Sequence, residues 1–281
     1  MIEVRFWGVR GSIPTPGPTT VEIGGNTSCV EMRAGGRLLI FDAGTGIRML
    51  GNALLREMPL EAYVFFNHVH WDHIQGFPFF TPAFVKGNVF HLHGGMKVSR
   101  TLEETLAGQM ENPSFPVHLS EMGAKMTFRD LFEGEPLSIP STDGSGPVLI
   151  TNTRGNHPNG VYAYRVEHEG HAVMYATDTE HYAVVDPKLK KLATNADVLI
   201  YDAMYTPEEY AGDKGMPKLG WGHSTNEEAV KLAKAAGVKK LVLFHHDPMQ
   251  DDAAVRDKER RTQALFPDCV AAFEGLHLRV G

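Results

Sequence analysis

The sequence has few cysteines, no long apolar run and no excess of positive charge. Its two cysteines, Cys29 and Cys269, cannot form a disulfide framework, so the composition does not indicate an oxidising compartment. No apolar run approaches the ~18 residues of a membrane-spanning helix, so we expect no membrane span. The first residues lack a basic segment followed by an apolar one, so we expect no signal peptide and a cytoplasmic protein.

The net charge of −7 disfavours nucleic acid as a partner, because proteins that bind it broadly neutralise phosphates with many lysines and arginines. A locally positive site stays open, because bound metal ions would dominate the field there. We find no repeat, low-complexity segment or linker, and a chain of 281 residues can bury a substantial core. We therefore predict a single domain over residues 1–281, with an elaboration at about 77–147.

A cluster of metal-binding side chains lies between residues 68 and 73. His68, His70, Asp72 and His73 follow the aromatic and β-branched run of residues 62–66, which predicts a buried strand that ends at this cluster. Imidazole and carboxylate together suit Zn²⁺, Mn²⁺ or Fe. Residues i and i+2 of an extended segment point the same way, so His68 and His70 can hold one ion. Asp72 and His73, past the bend, are then free to hold a second.

The pattern H-x-H-x-D-H after a strand resembles the signature of the metallo-β-lactamase fold hydrolases. The resemblance implies an α/β fold of the αββα type, in which two mixed sheets pack face to face with helices outside. It also implies a dinuclear metal site at one edge of the sheets. Four side chains cannot complete two metal shells, so further ligands are expected from other strand ends.

Three candidates occur in the order that the family requires. His157 lies between two predicted strands, Asp178 follows a strand, and His245 follows the strand of residues 241–244. The phase of that strand end favours His245 over its neighbour His246, which stays the alternative. A carboxylate at Asp178 suits two cations about 3.5–4 Å apart, which need negative charge between them. The resemblance then implies one metal on His68, His70, His157 and Asp178, and the other on Asp72, His73, Asp178 and His245.

Two divalent ions are the expected cofactors, Zn²⁺ first, with Mn²⁺ or Fe²⁺ as alternatives. By the same resemblance, water or hydroxide that bridges the pair is the nucleophile, with a pKa lowered towards ~7, and Asp72 belongs to the catalytic group. Asp42, in the turn after a predicted strand, resembles the aspartate that supports a ligand histidine in the family. A helix N-cap is the alternative role for Asp42.

A second pair of motifs indicates phosphodiester chemistry. Asp202 ends a predicted strand, and Gly222-His223-Ser224-Thr225 begins a helix that we predict Ser224 to cap. Together they resemble the acidic and histidine motifs of ribonuclease Z and its phosphodiesterase relatives. An alkoxide leaving group needs a proton, which a histidine held by a carboxylate can supply. Backbone N–H groups at a helix start favour phosphate oxygens, so Ser224 is a candidate substrate-binding residue. The alternative is that His223 only packs beside the helix cap.

Residues 7–12 and 24–29 resemble uncharacterised bacterial members grouped with the phosphoribosyl cyclic phosphodiesterases. Arg10 is a candidate phosphate ligand there, with a structural role in the loop as the alternative. The resemblance does not cover residues 77–147, which we interpret as a lid or a dimer contact. We do not find the long Gly/Pro-containing arm with which ribonuclease Z grips tRNA, and this disfavours tRNA as well.

The sequence thus predicts a dinuclear metal-dependent phosphodiesterase that cleaves a small or cyclic nucleotide-like phosphodiester, with His223 and Asp202 assisting the leaving group. A hydrolase of lactones, thioesters or carboxylic esters on the same metal site is the first alternative, and it would not need His223. A non-catalytic metal-binding protein is the second. The expected partner is a small molecule, with no membrane; a homodimer is compatible, because related enzymes often pair.

Overall fold

The structure, a computed structural model, describes residues 1–96 and 100–281. Over these ranges the chain forms two seven-stranded sheets and seven α-helices. The strands are β1 (Ile2–Gly8), β2 (Cys29–Ala34), β3 (Arg37–Phe41), β4 (Glu61–Phe66), β5 (Val89–Gly95), β6 (Lys125–Leu131), β7 (Leu137–Ile139), β8 (Val148–Gly155), β9 (Val161–His168), β10 (His171–Ala176), β11 (Val198–Asp202), β12 (Lys240–Phe244), β13 (Cys269–Ala271) and β14 (His277–Val280). The helices are α1 (Gly46–Leu54), α2 (Trp71–Ile74), α3 (Leu102–Gly108), α4 (Pro187–Ala193), α5 (Pro207–Ala211), α6 (Asn226–Ala236) and α7 (Asp252–Gln263).

Both sheets are mixed. The first has the order β14-β1-β2-β3-β4-β5-β6, and its strands run antiparallel from β14 to β3 and parallel from β3 to β6. The second has the order β13-β12-β11-β10-β9-β8-β7, antiparallel from β7 to β10 and parallel from β10 to β13. Parallel strands bring their carboxyl ends to the same edge, which is where ligands bind in sheets of this kind.

The core has a middle layer between the sheets and an outer layer on each side. Along β3 and β4, Phe41 and Phe65 face the middle layer, whereas their neighbours Ile40 and Val64 face the helices. This division follows from the alternation of side chains along a strand. Helix α1 covers the first sheet, and α4 and α6 cover the second. The predicted αββα sandwich with mixed sheets is confirmed.

The segment 77–147 contributes three strands to the sheets. β5 and β6 extend the first sheet beyond β4, and β7 forms an edge of the second. The interpretation as a lid does not agree with this placement, because none of the described residues of the segment lines the cavity over the predicted metal ligands. Since one middle layer joins strands from the first to the last residues, we propose that the chain folds as one domain. In the described part of the chain no helix has the length and apolarity to cross a membrane.

Candidate metal centre

Strand ends from both sheets converge on one point. Asp42 and His245 directly follow β3 and β12, Asp178 lies two residues after the end of β10, and their φ angles are 61°, 61° and 57°, respectively. Residues other than glycine rarely adopt this left-handed region, and an unusual backbone of this type costs about 1–3 kcal/mol unless the surroundings hold it. The three turns aim their side chains at the same place. The strained backbone positions are therefore those whose side chains converge on this point.

The first donor cluster consists of three histidines. A nitrogen of each of His68, His70 and His157 lies within 4.8 Å of the other two. His157 Nε2 is 3.1 Å from His70 Nδ1. Asp178 Oδ1 lies 3.8 Å from His68 Nε2 and 4.0 Å from His157 Nε2. One carboxylate oxygen of Asp178 thus borders this cluster.

The other oxygen of Asp178 borders the second cluster. Oδ2 lies 3.2 Å from His73 Nε2 and 3.3 Å from His245 Nε2. Asp72 Oδ2 lies 3.2 Å and 3.1 Å from the same two nitrogens. His246 turns away, because its Nε2 lies 2.9 Å from the carbonyl oxygen of Ala272, so the structure favours His245 of the two neighbours. The geometry therefore brings together all seven side chains predicted as metal ligands: His68, His70, Asp72, His73, His157, Asp178 and His245.

The spacing of these donors fits metal ions. Ligands about 2.0–2.2 Å from a tetrahedral ion lie about 3.3–3.6 Å from one another, close to the distances within the second cluster. His68 Nε2 is buried and has no hydrogen-bond partner among the residues that the structure describes, although it faces Asp178. A buried polar atom without a partner is costly, and a metal ion would remove that cost. The residues present fit the divalent ions that the sequence predicts.

The protonation states agree with this fit. Burial lowers the pKa of His68 well below its usual value and that of His70 to about 4, so both are neutral, as metal binding requires. Burial alone would lower the pKa of His73 too, but the charges of Asp178, Asp72 and Asp42 outweigh it and raise the pKa well above normal. Three carboxylates around one imidazole thus create a place that favours positive charge.

Buried hydrogen bonds orient the ligand histidines. Asp42 Oδ2 lies 2.9 Å from His73 Nδ1 and also accepts a hydrogen bond from Tyr175 Oη at 2.6 Å. The backbone amide of Asn67 donates to Asp42 Oδ1 at 2.9 Å. Helix α1 has Thr45, not Asp42, at its N-cap. Of the two roles considered for Asp42, the geometry favours support of a ligand histidine.

Asp42→Asn is expected to weaken metal binding in the second cluster about 10–100-fold, because partners that orient a metal-binding histidine have effects of this size. Asparagine tolerates the left-handed backbone at this position, so the fold should persist. Calorimetric titration of the metal-free protein with Zn²⁺ measures the affinity. Tyr175→Phe is the matched control: it removes one hydrogen bond to Asp42 and keeps the one to His73, so a smaller loss is expected. Equal affinities for wild type and Asp42→Asn would contradict this role.

Next to the clusters, His223 and Asp202 form a buried pair. Asp202 Oδ2 lies 2.8 Å from His223 Nδ1, and Oδ1 accepts hydrogen bonds from the backbone amides of Met204 and Ser224, both at 3.1 Å. Burial alone would lower the pKa of His223, but the charge of Asp202 and its hydrogen bond raise it to about 9. A nitrogen of His223 lies within 4.8 Å of donor atoms of His157 and Asp178. The pair can therefore hold a proton beside the metal centre.

A cavity of about 730 Å³ opens over the centre. Donors from both clusters line it together with His223, and most of the remaining wall is aromatic or apolar. The N-terminal loop and the connections after β4, β8, β10, β11 and β12 contribute residues to it. Its lining residues are Ser12, Val69, His70, Trp71, Asp72, His157, Pro158, Asp178, Met204, Tyr205, Lys218, Trp221, His223, Asp247, Pro248 and Met249.

Two predicted substrate-binding residues do not line this cavity. Arg10 is fully buried and donates hydrogen bonds to the carbonyl oxygens of Gly24, Asp247 and Gln250, so it joins loops and does not face a phosphate. Ser224 is also fully buried, and its amide donates to Asp202. The prediction that Ser224 caps α6 is wrong: Thr225 is the N-cap, and its Oγ1 accepts from the amide of residue 228 at 3.3 Å. Both substrate-binding assignments are therefore withdrawn.

Other residues at the centre had no signal in the sequence. The backbone amide of Ser12 donates to Asp72 Oδ2 at 2.7 Å, so the N-terminal loop reaches the second cluster. Lys218 and Trp221 line the cavity from the loop before α6. Glu180 is buried and binds that loop. In the sequence, Lys218 and Trp221 lie near His223, and Glu180 lies near Asp178, but this proximity alone does not predict the contacts.

Two donor clusters that share a carboxylate, at the strand ends of an αββα sandwich, define a metallohydrolase. Residues 37–246 match the family described as Beta-lactamase superfamily domain. Since this match covers more than half of the chain, the protein belongs to the beta-lactamase superfamily. The predicted family and the predicted metal-dependent hydrolase are both confirmed.

Similar proteins agree with this assignment. The ribonuclease Z of Thermococcus sibiricus is 26% identical, over 88% of this chain and 87% of its own length. The metallo-beta-lactamase fold protein YhfI of Bacillus subtilis has a TM-score of 0.72 at 20% identity, over 100% of this chain and 99% of its own. A diphosphatase from the PhnP family has a TM-score of 0.70 at 18% identity, over 99% and 98%. The two structures share the fold with this chain.

Proposed function

We propose that this protein is a phosphodiesterase that cleaves a small or cyclic nucleotide-like phosphodiester. The observation that carries the proposal is the hydrogen-bonded pair of His223 and Asp202 at the rim of the metal centre. Cleavage of a phosphodiester expels an alkoxide, which needs a proton, whereas many ester, lactone and thioester leaving groups need less assistance. A positioned acid beside the metal ligands therefore favours phosphodiester chemistry.

The ligand residues would hold two divalent ions. His68, His70, His157 and Asp178 would hold one, and Asp72, His73, Asp178 and His245 the other. When bound, the ions supply Lewis-acid polarisation of the phosphoryl group and a nucleophile at neutral pH. Imidazole and carboxylate donors favour Zn²⁺, with Mn²⁺ or Fe²⁺ as alternatives.

His223 is assigned the role of general acid. Asp202 accepts the proton of Nδ1, which leaves Nε2 as the nitrogen that can face a leaving group in the cavity. Because two backbone amides fix Asp202, the imidazole has one orientation. The raised pKa of His223 keeps it protonated at neutral pH, as a general acid must be.

The cavity volume and the similar proteins bear on the size and the class of the substrate. A cavity of about 730 Å³ is in the range of pockets for small ligands, roughly 300–1,000 Å³. The name ribonuclease Z of the similar proteins supports RNA as a second candidate, against the expectation drawn from the net charge of −7. Both candidates contain a phosphodiester attached to a nucleoside, so the same centre would serve either.

The protein loaded with Zn²⁺ or Mn²⁺ is expected to hydrolyse bis(p-nitrophenyl) phosphate and a 2′,3′-cyclic nucleotide. A short RNA with a 3′ extension tests the second candidate in the same assay, and a lactone and a thioester test the alternative hydrolase. Turnover is followed by absorbance for the nitrophenyl ester and by chromatography for the others.

Cleavage of the lactone or thioester without turnover of any phosphodiester would contradict the proposal and favour the alternative hydrolase. Full metal loading, measured by elemental analysis, without turnover of any ester would indicate a non-catalytic metal-binding protein.

A further inference from the structure

Two of the three tryptophans in the chain lie at the mouth of the metal centre. Trp71 stands between His70 and Asp72, and 81% of its surface is exposed. Trp221, two residues before His223, is 48% exposed. Exposed large aromatic groups beside a cavity are unfavourable in water and mark binding surfaces. Each tryptophan thus offers a flat apolar face next to a residue of the proposed catalytic centre.

A lysine accompanies the aromatic groups. Lys218 Nζ lies 4.2 Å from the centre of the Trp221 ring and 5.8 Å from that of Tyr205. Over residues 1–96 and 100–281, no carboxylate forms a salt bridge with Lys218, and the cavity lining contains no other lysine or arginine. A cation without a carboxylate partner, held over aromatic rings, can receive an anionic group of a ligand.

The loop that carries Lys218 and Trp221 is fixed to the centre. Glu180, 7% exposed, accepts hydrogen bonds from the backbone amides of Gly220 and Gly222 at 2.7 Å and 2.9 Å and from Tyr210 Oη at 2.6 Å. The carbonyl oxygen of Gly222 in turn lies 2.8 Å from Nδ1 of the ligand residue His157. The loop is therefore positioned before a ligand arrives, which lowers the entropic cost of binding.

We propose that Trp71 and Trp221 form a subsite for a nucleobase attached next to the scissile phosphodiester, with Lys218 binding an oxygen of the phosphate group. The inference rests on the proposed phosphodiesterase function and names its substrate class. A planar base suits the exposed indole faces, and the charge of Lys218 suits the phosphate that must lie between them and the metal centre. The base can belong to a free cyclic nucleotide or to the end of an RNA chain.

The test compares a 2′,3′-cyclic nucleotide with the cyclic phosphate of methyl riboside, which lacks the base. Trp71→Ala and Trp221→Ala are each expected to lower kcat/KM for the nucleotide about 10–100-fold, the usual effect of losing a stacking platform, and to change kcat/KM for the base-free compound less than about 3-fold. Lys218→Gln should lower kcat/KM for both compounds about 10-fold, because both contain the phosphate. Phe132→Ala removes an aromatic side chain that is 60% exposed and does not line the cavity, and it should change neither.

Binding separates failure of the subsite from failure of the phosphodiesterase function. Calorimetry with the metal-loaded protein should show that a nucleoside monophosphate binds about 10–100-fold more tightly than ribose phosphate, and that either tryptophan variant removes the difference. Base-dependent binding without cleavage would support the nucleobase subsite and contradict the proposed phosphodiesterase function. Cleavage of both compounds with equal kcat/KM, unchanged in both tryptophan variants, would overturn the subsite alone. An effect of the variants on a short RNA but not on the cyclic nucleotide would support the subsite and identify RNA as the source of the base.

Discussion

His223→Ala is expected to lower kcat for a 2′,3′-cyclic nucleotide about 10²–10⁴-fold, the usual contribution of a positioned general acid. The loss should be much smaller for bis(p-nitrophenyl) phosphate, because nitrophenolate leaves without a proton. The side chain has no assigned place among the metal ligands, so the metal content should stay at the wild-type value. Steady-state kinetics on both substrates, with elemental analysis of the same samples, measure these effects.

The matched control for His223 is His277→Ala. His277 lies in β14 at the edge of the first sheet and does not line the cavity, so its variant should have wild-type kinetics. An equal loss for good and poor leaving groups would show that His223 acts on binding or folding and is not a general acid. Wild-type turnover of the cyclic nucleotide by His223→Ala would contradict the mechanism altogether.

The variant Asp202→Asn tests the pair of His223 and Asp202 through the dependence of kcat on pH. Asp202 raises the pKa of His223 to about 9, so removal of its charge should lower that pKa. A general acid works only while protonated. The alkaline limb of the profile of kcat against pH is therefore expected to move to lower pH in the variant.

Asp178→Asn has the largest expected effect on the metal centre. Its two oxygens border both clusters, and the charges of His245 and His73 outweigh the effect of burial and hold the pKa of this carboxyl well below its usual value. Loss of the shared charge should reduce metal content below two equivalents and lower kcat about 10³-fold or more, since metal-ion catalysis contributes several kcal/mol and 1.4 kcal/mol is tenfold.

Thermal unfolding measures the same loss without any activity assay. Metal that binds only the folded state raises the free energy of unfolding in proportion to the logarithm of metal concentration over Kd. Addition of Zn²⁺ should therefore raise the melting temperature of the wild-type protein, and it should raise that of Asp178→Asn less. Asparagine tolerates the left-handed backbone at residue 178, so the substitution should not add backbone strain to the loss of charge. Asp257→Asn, at an exposed carboxylate of α7, is the matched control. Two tightly bound equivalents in Asp178→Asn would refute the shared role.

The sequence by itself determined the fold and the ligand set that we propose. The four donors between His68 and His73 are local, so their pattern after a strand is visible without coordinates. His157, Asp178 and His245 each follow a strand, and parallel strands place such residues at one edge. The fold and the division of these residues between two metals came from the resemblance to the metallo-β-lactamase fold hydrolases, which rests on motifs and chain order that a single sequence contains.

Only the tertiary structure decided what each loop does around that edge. Arg10 has the right chemistry for a phosphate, but carbonyl oxygens from three distant positions enclose it. Lys218 and Trp221 have no motif, and they reach the cavity because Glu180, about forty residues earlier, binds the amides of their loop. Such contacts depend on the packing of segments far apart in the chain, and local sequence patterns do not predict that packing.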